Sequence, residues 1–315
     1  VADGPEVTWR RGRSGAKYTE DAKVIVLSRG AVETPPLWLN SGLPNPNGWV
    51  GRGLNIHKAD MVVGILPSDT NSSKGPVSAA RADFPGRRSI QNVGIPTAGQ
   101  ASFLSLSQVG FAGFNDGTRA YGADSVGRLV GTDLMAAMSN IDRLLMVLIL
   151  TDDDVEPQNR VLLSTTSAPD EHGPIARVEI DQRSPRTHNN REVLAEKAVR
   201  LLRALDATRV FRMNIQPAGV HMHSTMRMGL SSDNSVLDEN AESRWVKRLF
   251  VADNSALANG CGGPNPTITS QALATRTAEK VFRLYFDGDP WVEIERPVPS
   301  NSRRVTEAVI ERGIL

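Results

Sequence analysis

Cysteine is nearly absent. Cys261 is the single one, so no intramolecular disulfide braces the fold, and cysteine usage leaves the redox compartment open. Aromatic residues make up only 5% of the chain, which argues against a pocket walled by rings for a bulky aromatic substrate. An excess of either charge is missing too: 36 basic and 35 acidic residues leave a net charge of +1. No whole-chain field therefore favours nucleic acid or an anionic membrane. The short clusters Arg10, Arg11, Arg13 and Arg87, Arg88 lack interleaved aromatics and read as solvated loops. No run of about 18 apolar residues is present. The nearest, LLMVLIL from Leu144 to Leu150, has strand length and soon meets Asp152, Asp153 and Asp154. A membrane span is thus not expected. No signal-peptide pattern is visible, although a chain that opens on Val1 is compatible with a leader removed or left out. The compartment is not assigned; a soluble cytoplasmic protein is slightly favoured.

What remains is an ordinary globular composition, 40% hydrophobic and 23% charged over 315 residues, enough for one large domain or two smaller ones. PEVTWRR and AKVIVLSRGA read as two strands, the second a continuous apolar run (Val24 to Leu27) expected to be buried on both faces. VETPPLWLNSG predicts a short helix entered near Pro35 and stopped by Gly42. A helix is expected from about Ser125 to Arg143 and another capped by Asn189. Strands are expected at MVVGIL, LLMVLILTDD, RVLLS, ARVEI and RLFVAD. The final third predicts a helix from about Thr267 to Phe286 and a terminal helix in VTEAVIERGIL. Strand and helix pieces at both ends with a strand-rich middle suggest an α/β layer interrupted by a second unit.

Two strings carry the chemistry. AGVHMHSTMRMG holds His221, and RLFVADNSALANGCGGPNPTITSQALATRTAEKVF holds Asn265 at the mouth of a helix. An imidazole with an ordinary pKa of about 6.5 suits proton transfer near neutral pH, and a carboxamide can hold a substrate oxygen without changing charge. The competing readings are a packed histidine for His221 and helix capping for Asn265 or Thr267. His221 and His223, two apart on an extended stretch, would share a face and could be a metal pair. With no third ligand evident, no metal site is expected. Cys261, between glycines, reads as a small filler rather than a reactive thiol.

Together the two strings resemble the C-terminal signature of the glucose-methanol-choline (GMC) oxidoreductases, FAD enzymes that take a hydride from an alcohol carbon. SRGAVETPPLWLNSG resembles the family's second signature, GAxxSPxLLLxSG, and VGRGLNIH resembles VGRNLxDH. The resemblance implies a mixed α/β fold: the C-terminal part of a Rossmann-like FAD domain with an inserted antiparallel-sheet substrate domain. The expected division is 1–58 and 217–315 for the FAD domain and 59–216 for the substrate domain. It implies His221 and Asn265 as the catalytic pair, with Gly30, Ala31, Ala252, Asp253, Asn265, Pro266 and Thr267 lining FAD, Ala252 and Asp253 largely through backbone N–H groups. His57 aligns with a family histidine and is expected to be structural. The substrate would be a small-molecule alcohol or sugar.

Two departures stand out. Ser224 replaces the family's usual Gly before Thr225. No GxGxxG cradle for the FAD pyrophosphate is present; GRGLNI lacks the last glycine and GCGGPN ends in Asn. The chain is therefore expected to be the C-terminal part of a longer enzyme, needing an N-terminal FAD-binding portion or subunit. The alternatives are an FAD-containing lyase on the same scaffold, or an inactive fragment or partner subunit.

Overall fold

A computed structural model of the protein describes residues 5–12, 15–84, 88–106, 108–110, 127–180, 183–261, 265–288 and 307. In chain order it runs β1 (Glu6–Arg10), β2 (Lys17–Asp21), β3 (Ile25–Leu27), α1 (Gly30–Asn40), β4 (Asn55–Ile65), β5 (Arg81–Phe84) and β6 (Arg88–Val93). Then come α2 (Thr97–Leu106), β7 (Gln108–Gly110), β8 (Gly127–Arg128), α3 (Gly131–Met138) and β9 (Leu144–Thr151). The rest is β10 (Arg160–Leu163), β11 (Ala176–Glu179), α4 (Pro185–Ala204), β12 (Arg209–His223), β13 (Leu249–Val251) and α5 (Thr267–Tyr285). The fold is mixed α/β, as expected.

A seven-stranded sheet, in the order β5-β6-β9-β4-β12-β7-β8, forms the larger unit. All its pairings are antiparallel. It is buried on both faces, and the period-2 alternation of its central strands shows how. Met61, Val63 and Ile65 of β4 join Leu144, Met146, Phe211 and Met213 on one side. Val62, Val147 and Ile149 meet Leu194, Ala198 and Leu202 of α4 on the other. That double burial is why LLMVLIL reads as unbroken apolar sequence. β10 and β11 pair antiparallel in a sheet of their own.

The second core forms where distant segments meet. Trp38 of α1, Val50, Met226, Val236, Leu237 and Leu249 and Val251 of β13 pack together. β13 pairs with β3 in parallel. Both expected boundaries between the units, 58/59 and 216/217, fall inside strands β4 and β12. The chain thus passes between the two cores along paired strands rather than through linkers.

Several elements differ from expectation for local reasons. The run Val24 to Leu27 is not buried on both faces: among the described residues β3 has only β13 as a neighbour, and Val26 is 46% exposed. The stretch before it carries its own strand, β2, which pairs with β1. Helix α1 begins at Gly30 rather than near Pro35 and takes both prolines inside it. Pro35 has no N–H to give the carbonyl of Ala31; Thr225 Oγ donates to that oxygen instead, at 2.8 Å. Helix α4 starts earlier than Asn189, because Ser184 caps it by accepting from Thr187 N–H and Pro185 fills the first turn. The helix expected up to Arg143 is broken into α3 and a 3₁₀ turn, Ile141–Arg143. The terminal-helix expectation lies outside the described residues except at 307.

Candidate active site

The bottom of β12 and the start of β4 lie side by side, with Val220 paired to His57 and His223 paired to Asn55. Between Val220 and Met222 the register shifts, and His221 itself has φ +58°. Such a bulge re-aims a side chain out of the ladder's alternation, so His221 and His223 do not form the simple same-face pair expected of an extended stretch. His221 turns toward His57 instead, with Nδ1 3.1 Å from His57 Nδ1. The ring centroids are 5.2 Å apart and the planes cross at 83°. His223, fully buried, stacks its edge on His57 from another side, at 5.1 Å. Among the described residues no three His, Cys, Asp or Glu side chains are arranged to hold a metal.

All three imidazoles are held neutral. Burial pushes His221 down to about 4, with a further push from His57. It pushes His223 down to about 3, with further pushes from His57 and His221. His57 is lowered by burial, against a hydrogen bond to Gly260 that raises it. The ordinary value near 6.5 that motivated His221 as a base is therefore not its value here; removal from water disfavours the charged ring. The neutral ring is nonetheless the form able to accept a proton.

Asn265 stands just before α5, exposed at the surface. The chain on either side of it is tied to the histidine cluster. On one side the carbonyl of Gly260 lies 2.9 Å from His57 Nε2. A Cβ on Gly260 would come within 3.0 Å of Asn55 Oδ1 and 3.2 Å of His57 Nε2, so only glycine lets the loop approach this closely. On the other side Ser270 Oγ donates to Asn254 Oδ1, and the carbonyl of Asn254 accepts Ser224 N–H at 3.2 Å. The N-cap of α5 is Pro266, with no side-chain cap. Among the described residues neither Asn265 nor Thr267 caps the helix, which leaves its first-turn amides and the positive end of its dipole open to a ligand.

The remaining predicted residues are occupied with holding the scaffold. Asp253 Oδ2 accepts Gly30 N–H at 2.9 Å and Thr34 Oγ at 2.8 Å, and its Oδ1 accepts Ser255 N–H at 2.7 Å. The carboxylate thus clips the end of β13 to the first turn of α1. Ala252 N–H is committed to Leu27 O at 2.9 Å. The amides of Gly30 and Ala252 are therefore engaged within the protein, while the space above the Gly30 Cα is open, with nothing within 4 Å of an added Cβ. Ala31 is buried. The Cys261 thiol is pushed up by burial, in keeping with an inert filler. Asp253→Ala should cost about 3 kcal/mol in urea unfolding, from the loss of hydrogen bonds to a charged acceptor.

Ser224 occupies the position where a glycine was expected, and the backbone explains the preference. Its φ is +71°, a left-handed conformation that costs an L-residue roughly 1–2 kcal/mol. Its hydroxyl is buried without a hydrogen-bond partner. Ser224→Gly should therefore raise stability by about 1 kcal/mol despite the extra freedom of glycine in the unfolded chain; a midpoint shift to higher urea checks it.

Sequence reasoning missed His57 as the neighbour of His221 and Asp253 as a clip. No local pattern signals either contact, since His57 and His221 stand 164 positions apart and Asp253 and Gly30 stand 223 apart.

Comparison with known proteins decides the family. The GMC oxidoreductase models match residues 6–59 and 156–274, together more than half of the chain. This chain belongs to the GMC oxidoreductase family. That family is generally flavin-dependent. Among its members, the 2-methyl-1,2-propanediol dehydrogenase of Mycolicibacterium austroafricanum is 28% identical, over 92% of this chain and 52% of the relative. The C-glycoside 3-oxidase of Arthrobacter globiformis is 30% identical, over 89% of this chain and 50% of the relative. The chain spans about half the length of these GMC relatives. The crystal structure of pyridoxine 4-oxidase from Mesorbium loti shares the fold with a TM-score of 0.50 at 17% identity, over 88% of this chain and 54% of that one. No helix among the described residues is long and apolar enough to cross a membrane.

Proposed function

We infer that the chain carries the proton-handling site of an FAD-dependent oxidoreductase acting on the CH–OH group of an alcohol or sugar. The observation that carries this reading is His221, aimed by a bulge and held at one ring nitrogen by His57, in a cluster tied to the loop before Asn265 through Gly260 and His57 and to the helix after it through Ser270, Asn254 and Ser224. The residues present fit the reactive end of the cofactor. The uncapped start of α5 offers amides and a positive dipole end to electron density on the ring's pyrimidine side, and the space above Gly30 is open. The pyrophosphate cradle has no counterpart in this sequence. Segments 1–58 and 217–315 are assigned to the FAD-binding unit and 59–216 to the substrate unit; the separate cores on the seven-stranded sheet and around β13 support that division, while Val161 of β10 packs across it against Ala31 and Leu54.

A bound flavin supplies the acceptor for the hydride that leaves the carbinol carbon. His221 takes the hydroxyl proton at its unengaged ring nitrogen, so the oxygen's electrons can form the carbonyl as the hydride departs. Asn265, exposed and with no hydrogen bond among the described residues, holds the substrate oxygen by hydrogen bonding and so positions the carbon. His57 and the Gly260 loop keep the imidazole in place throughout.

The test is to express the chain together with its flanking genomic sequence, record the visible spectrum, and add alcohols and sugars anaerobically. Bleaching of a yellow protein by an alcohol or sugar is expected. A flavin that stays yellow with every one of them overturns the redox reading in favour of a lyase, and a colourless protein overturns the cofactor assignment.

A further inference from the structure

His57 and Gly260 together constrain which nitrogen of His221 carries its hydrogen. The carbonyl oxygen of Gly260 has no proton to give, so the 2.9 Å contact with His57 Nε2 exists only if that nitrogen is the donor. A neutral imidazole has one N–H, and His57 is fully buried, where a charged ring is disfavoured. Its Nδ1 is then a bare lone pair. The 3.1 Å contact between His57 Nδ1 and His221 Nδ1 needs one hydrogen between them, and only His221 can supply it. That leaves His221 Nε2 without a hydrogen.

We propose that His57 is a positioning residue: it accepts the Nδ1 hydrogen of His221, fixes that ring in one tautomer, and so presents Nε2 as the lone pair that takes the substrate proton. The backbone carbonyl of Gly260 plays the terminal part, fixing the tautomer of His57 in turn. A neighbouring hydrogen bond commonly decides which imidazole nitrogen is basic. Here no carboxylate stands in the hydrogen-bonded chain, although Asp152 acts on His57 through its charge: the chain runs Gly260 C=O, His57 Nε2–H, His57 Nδ1, His221 Nδ1–H. When His221 becomes an imidazolium, its Nδ1–H points at an acceptor already in place, so the developing charge meets a neutral lone pair rather than a second donor. The glycine at 260 is part of the device, since a side chain there would push the carbonyl away from His57. This inference rests on the proposed role of His221, but its first test does not depend on flavin or turnover.

The chain is labelled with ¹⁵N in its histidine rings, and ring nitrogen shifts and their long-range proton couplings are recorded near pH 7.5. His221 is expected as the Nδ1–H tautomer and His57 as the Nε2–H tautomer. Their signals are assigned by their loss in His57→Gln and in His221→Gln. His221 found as Nε2–H, or His57 found doubly protonated, overturns the proposal. In His57→Gln the amide can still donate to Gly260 through its nitrogen and accept from His221 through its oxygen, so His221 should keep its tautomer. In His57→Leu the acceptor is gone, and His221 should shift toward Nε2–H; an unchanged His221 spectrum in a folded His57→Leu overturns it as well. In the flavin-loaded enzyme, His57→Leu should slow flavin reduction at least about 10-fold with little change in substrate affinity, and His57→Gln should recover most of that rate; in a Ser-His-Asp triad a wrong tautomer costs up to about 10⁴. The expected tautomers in a protein that no alcohol or sugar reduces would leave the relay standing and remove only the proposed function.

Discussion

His221→Ala is expected to slow the reduction of bound flavin by alcohol about 100-fold or more, because a positioned general base contributes roughly 10²–10⁴ to such a step. The measurement is stopped-flow reduction of the enzyme expressed with its flanking sequence. Its signature is a loss of rate at saturating substrate with flavin binding intact, since among the described residues the His221 ring is held by His57 and not by the residues proposed to line the flavin. The pH profile adds a second readout. Burial and His57 hold His221 down to about 4, so the acid limb of kcat/KM should lie well below the ordinary histidine value of about 6.5. That limb should vanish in the variant. A reductive half-reaction that runs at the original rate in His221→Ala would remove the residue from the mechanism. Asn265→Ala should slow reduction less and raise the substrate concentration needed, as expected of a group that positions rather than takes a proton.

The second large effect is acid sensitivity of the fold itself. His221 is lowered to about 4, His223 to about 3, and His57 is lowered too, whereas in the unfolded chain each titrates near 6.5. Above about pH 6.5 neither state takes up these protons, so the histidines place no slope on stability there. As pH falls below that value the unfolded chain is protonated first, and stability is lost. The loss continues until each folded-state value is reached and then stops growing. A fully buried imidazole gives up to about 1.4 kcal/mol per pH unit in this window. The half-buried His221 gives less because solvent screens it. Urea unfolding at pH 7, 6 and 5 should show the decline. His223→Met replaces a ring whose two nitrogens are buried and unpartnered, and should flatten the slope by about 1 kcal/mol per pH unit. An identical slope in that variant would mean that His223 is not buried in its neutral form.

How much of this was legible beforehand depends on how far apart the interacting residues lie. The apolar run in β9 could be read as a strand because its length and composition suffice, and α5 because its periodic face and the Pro266–Thr267 start are local. The start of α4 was misplaced although its signal, Ser184 followed by Pro185, is also local; Asn189 offered a competing cap one turn inside the true helix. β3 was expected to be buried on both sides because its apolar run reads like a central strand. Burial, however, is set by how many strands flank it, and among the described residues only β13 does.

Sequence by itself determined the composition class, the positions of the long periodic elements, and the two signature strings that hold His221 and Asn265, because each is written in neighbouring residues. Only the tertiary structure decided that His221 leaves the strand's alternation through a bulge, that His57 and the Gly260 carbonyl close on it in series, and that Asp253 acts through its carboxylate as a clip. Those contacts join residues far apart along the chain, and burial, not residue type, moved the imidazoles away from their ordinary proton affinity. The physical reason is the same in each case: hydrogen-bond partners and dielectric surroundings are properties of the packed neighbourhood, which no local pattern encodes.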